Sequence, residues 1–103
     1  MKIENQNQIS FGQVVPTEAL LKSALGIHKF EDAKILNQSM GIKYSGHVSF
    51  YKRAITISEN ILSKNPEIKD LIQKLKSESS LEQQLKSIKL AVKNIGENID
   101  VVV

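Results

Sequence analysis

The sequence predicts a mainly α-helical protein, a small bundle of about five helices with short extended N- and C-terminal arms. Apolar residues recur every three or four positions through most of the chain, the period of a helix with one buried face. Glycine, proline and serine fall between these runs, where helices start and stop. Toward both ends apolar and polar residues alternate instead, which is the period of a strand. The predicted organisation is an extended N-terminal arm over 1–16, a helical domain over 17–96 and an extended C-terminal tail over 97–103.

The N-terminal arm and the first helix are separated by a proline. Apolar residues of the arm stand at even spacings: Ile9, Phe11, Val15. After Pro16, the hydroxyl of Thr17 is suited to cap a helix over 18–25, and Gly26 supplies the left-handed residue that ends it.

The next two helices are separated by a loop over 42–46, which contains the basic residue Lys43. A helix over 30–40 has an apolar face and ends at Gly41. Its apolar face comprises Phe30, Ala33, Leu36 and Met40. The following helix is predicted to start near His47 or Ser49 and to end at Lys64. Its apolar stripe comprises Val48, Tyr51, Ala54, Ile55, Ile61 and Leu62.

The last two helices have the clearest boundaries. Asn65 and Pro66 stand at positions typical of a helix start. Both Ser79 with Glu82 and Ser80 with Gln83 fit a capping box ahead of a helix over 81–95. The apolar stripe of the first is Ile68, Leu71, Ile72 and Leu75, and that of the second is Leu81, Leu85, Ile88, Val92 and Ile95. The second stripe follows the spacing of a coiled-coil seam. In the tail, Ile99, Val101 and Val103 alternate, so arm and tail can pair as a two-stranded ribbon.

The composition limits the class of protein. With 103 residues, of which 41% are apolar and 24% charged, the chain suits one globular domain with its own core. It contains no cysteine, which excludes disulfides and thiolate metal sites. The first residues lack the apolar core of a signal peptide, and no run reaches the ~18 apolar residues of a membrane span. We therefore expect a small soluble protein of the cytoplasm that does not bind membranes.

The sequence gives little support for catalysis. His28 and His47 are the only histidines and stand too far apart to bind a metal as a pair on one helix. Glu31 and Asp32 are adjacent, so on a helix they point about 100° apart and do not form an acid–base pair. The five glycines are scattered and form no phosphate-binding loop. We expect a protein that is not an enzyme and holds neither a metal ion nor a cofactor.

The two terminal helices carry the main functional hypothesis. Their apolar stripes face each other in an antiparallel hairpin. We predict that this seam binds a protein partner or a second copy of the chain. The residues predicted to form the seam and the interface are Ile68, Leu71, Leu75, Leu85, Ile88 and Val92. The seam can instead pack only inside the chain, against the helix that ends at Lys64, and the sequence leaves both interpretations open.

Residues 40–55, MGIKYSGHVSFYKRAI, support an alternative function. They resemble the helix-turn-helix pattern of many bacterial DNA-binding proteins, in which a glycine ends one helix and the next helix reads the DNA. The matching positions are Leu36, Met40, Gly41, Ile42 and Phe50, while Asn37 and His47 depart from the pattern. No acidic residue occurs between Ala33 and Ser58, which suits contact with phosphates. The resemblance implies a small DNA-binding regulator whose contacts come from Lys43, His47, Lys52 and Arg53.

The net charge is weak support for a nucleic-acid partner. The chain carries a formal charge of +3 at pH 7. Arg53 is its only arginine, although arginine is the side chain that binds phosphates and guanine edges with two parallel hydrogen bonds. The basic balance therefore does not by itself favour DNA over a protein partner.

Overall fold

The computed structural model describes residues 12–43 and 49–103. Within these ranges the elements are β1 (Gly12–Pro16), α1 (Thr17–Leu25), α2 (Phe30–Ser39), α3 (Phe50–Lys64), α4 (Pro66–Lys76), α5 (Leu81–Ile95) and β2 (Asn98–Val102). The mainly α-helical class is confirmed, and each predicted helix is present with ends close to those expected. Of the residues singled out in the sequence, Ile9, Phe11, His47 and Val48 lie outside the described ranges.

β1 and β2 form a two-stranded antiparallel sheet, the ribbon that the alternating patterns suggested. Val15 lies opposite Ile99 in the register. Val15 and Val101 are buried, whereas Val14 and Val102 on the other face are 52% and 47% exposed. Side chains alternate between the two faces of a strand, so only one face of the ribbon packs on the helices.

The prediction that Thr17 caps α1 is wrong. Thr17 is the first residue of the helix, and Pro16 occupies the N-cap position. The Thr17 side chain is buried, and its Oγ1 donates a hydrogen bond to the Gly96 carbonyl at 2.8 Å. The Thr17 backbone N–H donates to the Glu97 carbonyl at 2.9 Å. These bonds tie the start of α1 to the segment after α5, since a buried hydroxyl needs a partner of this kind.

Other helix ends follow the predicted local signals. Of the two serines predicted to cap α5, Ser80 does so: its Oγ accepts a hydrogen bond from the Gln83 backbone N–H at 3.2 Å, which is one of the two bonds of a capping box. Gly26 and Gly41 adopt φ values of +74° and +78°, a left-handed conformation that side chains with a Cβ rarely adopt. Pro66 is the first residue of α4, where its missing N–H has no intrahelical acceptor to lose.

The core joins one face of every helix to the inner face of the ribbon. Its large, fully buried side chains include Leu20, Leu21, Leu36, Ile61, Ile72 and Ile88. On α3 the predicted stripe is wrong at two positions, because Tyr51 and Ile55 are 44% and 37% exposed. The buried stripe of α3 is instead Phe50, Ala54, Ile57 and Ile61. Both sets repeat every three or four residues, so periodicity alone does not choose between two adjacent faces of one helix.

Asn65 joins the α3–α4 junction to the outer edge of β2. It occupies the N-cap position of α4, but its side chain makes no capping hydrogen bond. Instead Nδ2 donates to the Val102 carbonyl at 2.8 Å, and Oδ1 accepts from the Val102 N–H at 3.0 Å. The same amide donates to the Ile61 carbonyl at 2.6 Å. The side-chain amide thus pairs with Val102 as a neighbouring strand would.

Replacing Asn65 by alanine is expected to lower the free energy of unfolding by about 1–2 kcal/mol, because two backbone groups of Val102 lose their protein partners. Urea denaturation measures this loss. Hydrogen exchange should show faster exchange of the Val102 amide, while the Val101 amide, which faces β1, keeps its protection. Asn60→Ala, an exposed substitution on α3, is the control and should change neither quantity. An unchanged Val102 amide in Asn65→Ala would contradict the assigned pairing.

Candidate protein-interaction site

The six residues of the predicted seam lie in three environments. Ile68, Leu75 and Ile88 are 7%, 3% and 1% exposed and belong to the core. Leu71 and Val92 are half-buried against that core. Leu85 is 36% exposed. Much of the seam is therefore packed inside the chain, where α5 contacts α1 as well as α4. The buried members do not form a surface for a partner.

A cleft of about 480 Å³ lies along the outer side of the α4–α5 hairpin. Its apolar floor contains Leu71 and Leu75 from α4 and Leu90 and Ala91 from α5. We call this feature the hairpin cleft. Leu90 is 59% exposed, the highest value among the large apolar side chains of the described residues. The polar walls include Lys74, Glu78, Ser87 and Asn94.

Two hydrogen bonds hold α4 and α5 together at the loop end of the hairpin cleft. Ser87 Oγ donates to a Glu78 carboxylate oxygen at 2.9 Å. Gln84 Nε2 donates to the Leu75 carbonyl at 3.4 Å. Both bonds join residues nine positions apart across the turn.

Charged side chains lie along both margins of the hairpin cleft. Glu67 and Asp70 are exposed on α4 and line a shallow depression next to the cleft. Lys86 and Lys93 are exposed on α5, four residues before and three residues after Leu90, so they lie beside it on the helix surface. Among the described residues no ion pair joins the two margins. Lys74 of α4 lines both the cleft and this depression. The α4 side therefore carries charges of both signs, whereas the α5 side beside Leu90 carries lysines.

Leu90 and Ala91 are the cleft residues that sequence reasoning missed. Both are off the heptad positions of α5, and the coiled-coil spacing directed attention to Ile88 and Val92. The sequence signal that could have identified Leu90 was a leucine on the face of α5 opposite the seam, between lysines at positions 86 and 93. A surface leucine is common enough that this signal does not identify a site without the groove beside it.

A second, smaller cleft of about 400 Å³ contains Val92 from the predicted seam. Pro16 and Ile35 contribute its other apolar surface, and Glu18 and Glu97 stand at its edge. Glu18 already forms an ion pair with Lys22. This cleft therefore has less exposed apolar surface and fewer unpaired charges than the hairpin cleft.

Three of the four residues of the DNA-binding alternative lie in the described part of the chain, and they differ in exposure. Lys43 and Lys52 are exposed and Arg53 is half-buried, while His47 lies outside the described residues. The helix that carries Lys52 and Arg53 begins at Phe50, so ten residues, 40–49, separate it from the end of α2. In the helix-turn-helix motif, about three to four residues separate the helices.

Two buried polar side chains fasten the start of α3 to the preceding elements. His28 Nε2 lies 3.1 Å from the Tyr51 carbonyl, which only accepts, so this nitrogen carries the proton. The rings of His28 and Tyr51 are 4.7 Å apart. Asn37 Nδ2 donates to the Ala33 carbonyl at 2.7 Å and to the Phe50 carbonyl at 3.2 Å. Both residues stabilise the fold, and neither lines a described cleft.

The described residues contain no group of three or more acidic, histidine or cysteine side chains arranged to hold a metal ion. None of the helices in those ranges combines the length and apolar character needed to cross a membrane. The chain matches no protein-family model, and searches of curated proteins and of solved structures found no significant similarity. The candidate site is therefore defined by the surface of the α4–α5 hairpin alone.

Proposed function

We propose that this protein is a non-catalytic interaction module that binds a protein through the hairpin cleft. The observation that carries the proposal is Leu90, a leucine 59% exposed beside a groove whose floor is already apolar. Covering such a side chain contributes about 1.5–3 kcal/mol, which makes it an effective anchor for a partner. The unpaired charges at the margins add selectivity, because a partner of the wrong charge is disfavoured.

The surface also has the apolar lining of a helix-binding groove. Leu71 and Leu90 are its accessible apolar side chains, and the buried Leu75 and Ala91 lie beneath them between two antiparallel helices, where a third helix can lay an apolar face. Of the predicted interface residues, Leu71 and Leu75 contribute to this floor. Leu85 is exposed but does not line the cleft, because it lies about 140° around α5 from Leu90.

DNA binding has weaker support. The ten-residue separation of α2 and α3 differs from the helix-turn-helix motif, and Arg53 is half-buried. The alternative predicts binding to random duplex DNA at low salt that weakens steeply as salt increases. Loss of that binding on replacing Lys52 and Arg53 by alanine would favour it over the proposal above.

Site-specific photo-crosslinking in the cells that produce the protein tests the proposed function. We expect a photoreactive residue at position 90 to yield one discrete protein adduct, and the same residue at position 55 to yield none. The captured protein, once purified, should bind the wild-type chain. Leu90→Glu should weaken this binding at least about tenfold, a loss of 1.4 kcal/mol, because it places a charge on the apolar floor.

Ile55→Glu is the matched control, an apolar-to-acidic change at an exposed position on α3. It should leave both folding and binding unchanged. Equal adducts from positions 90 and 55, or equal binding by the two glutamate variants, would overturn the proposal that the hairpin cleft is the binding surface.

A further inference from the structure

We propose that the partner of the hairpin cleft is an amphipathic helix with acidic residues along one edge, and that lysines of α5 select it. This inference rests on the proposed function and names the chemistry of its partner. It is carried by a row of three exposed lysines on one side of α5, Lys86, Lys89 and Lys93, which we call the lysine row. Leu90, the most exposed leucine of the cleft, lies beside this row.

The described part of the chain does not neutralise the lysine row. None of its three members forms an ion pair there. Glu82 stands four residues before Lys86, a spacing at which opposite charges can pair on a helix, yet the two side chains are not paired. Lysines three and four residues apart repel each other and weaken the helix slightly. The row is therefore a cost to the isolated chain that an anionic partner would remove.

The α4 side of the hairpin cleft determines which kind of anion fits. Lys74 adds a positive charge to the cleft wall, but Glu78 stands in the same wall, and Glu67 and Asp70 line the depression beside it. A ligand that is negative over its whole surface, such as a DNA backbone or an anionic bilayer, would meet these three carboxylates as well as the lysines. A helix with carboxylates along one edge avoids them, because its other edge can be neutral. The charges thus favour a protein partner over a phosphate-rich one.

The position of the lysine row relative to the floor determines how such a helix lies. Its apolar face covers Leu71 and Leu90, the accessible apolar side chains of the cleft. Its acidic edge then lies over Lys86 and Lys93, which are about 40° and 60° from Leu90 on the same side of α5. These two lysines are about 10 Å apart along the helix axis, so carboxylates two turns apart on the partner can contact both.

Fluorescence anisotropy with three synthetic peptides of about five helical turns tests the charge selectivity. The acidic peptide has leucines on one face and glutamates along one edge of that face. The basic peptide has lysines in place of the glutamates, and the scrambled peptide has the composition of the acidic one without an apolar face. The wild-type chain should bind the acidic peptide with a Kd of about 10–100 μM and the other two at least about tenfold more weakly. The preference for the acidic over the basic peptide should shrink as salt increases, because exposed charges are screened.

Charge reversal of the lysine row identifies the contact. The double variant Lys86→Glu/Lys93→Glu should bind the acidic peptide about tenfold more weakly than the wild type does, and the basic peptide about tenfold more tightly. The matched control is Lys52→Glu/Lys64→Glu, which reverses two exposed lysines of α3, one of them in the last turn of its helix as Lys93 is. It has the same net charge and should keep the wild-type preference. Circular dichroism verifies that both double variants are folded.

Equal binding of the acidic and basic peptides to the wild-type chain, or an unchanged preference in the variant of the lysine row, would overturn the inference. So would no binding of the acidic peptide at about 1 mM protein. Tighter binding to phosphatidylglycerol vesicles or to duplex DNA than to the acidic peptide would overturn it in favour of a membrane or a nucleic acid. If one of these results is found while position 90 still cross-links to one protein, the partner has a different chemistry and the proposed function stands. If position 90 also gives no adduct, the proposed function fails as well.

Discussion

Replacing Asn37 by aspartate is expected to destabilise the protein by more than about 3 kcal/mol at pH 7, although the two side chains have the same shape. Asn37 is fully buried. Its amide group donates to two carbonyl oxygens, those of Ala33 and Phe50. These acceptors determine the orientation of the amide, because the reversed orientation would place oxygen against oxygen. A carboxylate at this position brings a buried charge and offers neither carbonyl a donor.

The loss should decrease as the pH falls. Burial raises the pKa of a carboxyl at position 37 in the folded protein above the ~3.9 of an unfolded chain. Between these two values the folded state binds more protons than the unfolded state, so stability increases as the pH decreases. The destabilisation is therefore complete above the folded pKa and smallest below about pH 4, where the neutral carboxyl can donate to one carbonyl.

Asn37→Leu is the control for Asn37→Asp. It removes the same two hydrogen bonds and introduces no charge, so its smaller loss of stability should not vary with pH. Urea denaturation of both variants and the wild type between pH 4 and pH 7 measures the difference. If Asn37→Asp is as stable as Asn37→Leu at pH 7, the Asn37 side chain is not enclosed as the structure places it.

The helices were predictable because their ends depend on local chemistry. Pro66 at the start of α4, Ser80 before α5 and Gly26 after α1 each act through the backbone within one turn. The exceptions are Thr17, which has the sequence of a cap but bonds to Gly96 across the fold, and Asn65, whose side chain bonds to Val102 and does not cap α4. Their partners are 79 and 37 residues away in the sequence, and a local sequence pattern does not show contacts at such separations.

Faces and sites were less predictable because they depend on which elements meet. Tyr51 and Ile55 fit a helical stripe as well as Phe50 and Ile57 do, and the choice is made by contact with α1 and α2. Leu90 is a second example, because its role also depends on tertiary packing. It matters only because a groove lies beside it, and that groove exists through the packing of α4 on α5. A sequence pattern specifies apolar positions but not what covers them.

Substitutions of Ile88 and Leu85 measure the difference between a buried and an exposed position of one apolar stripe. Both belong to the predicted seam of α5, three residues apart, yet Ile88 is 1% exposed and Leu85 is 36% exposed. Ile88→Ala is expected to lower the free energy of unfolding by about 3 kcal/mol, since it leaves a cavity in the core. Leu85→Ala should cost less than about 1 kcal/mol, because its side chain is largely surrounded by water and alanine suits a helix well.

Denaturation at low protein concentration compares the two variants in the monomer, and the same experiment at high concentration compares them where copies can associate. Ile88→Ala should show its full loss at both, because the core is complete within one chain. A loss for Leu85→Ala that appears only at high concentration would mean that a second copy covers this residue, since binding stabilises the folded state by an amount that increases with the logarithm of the partner's concentration above Kd. Equal losses for the two variants at low concentration would instead mean that the chain itself encloses Leu85, which would contradict the exposure found here.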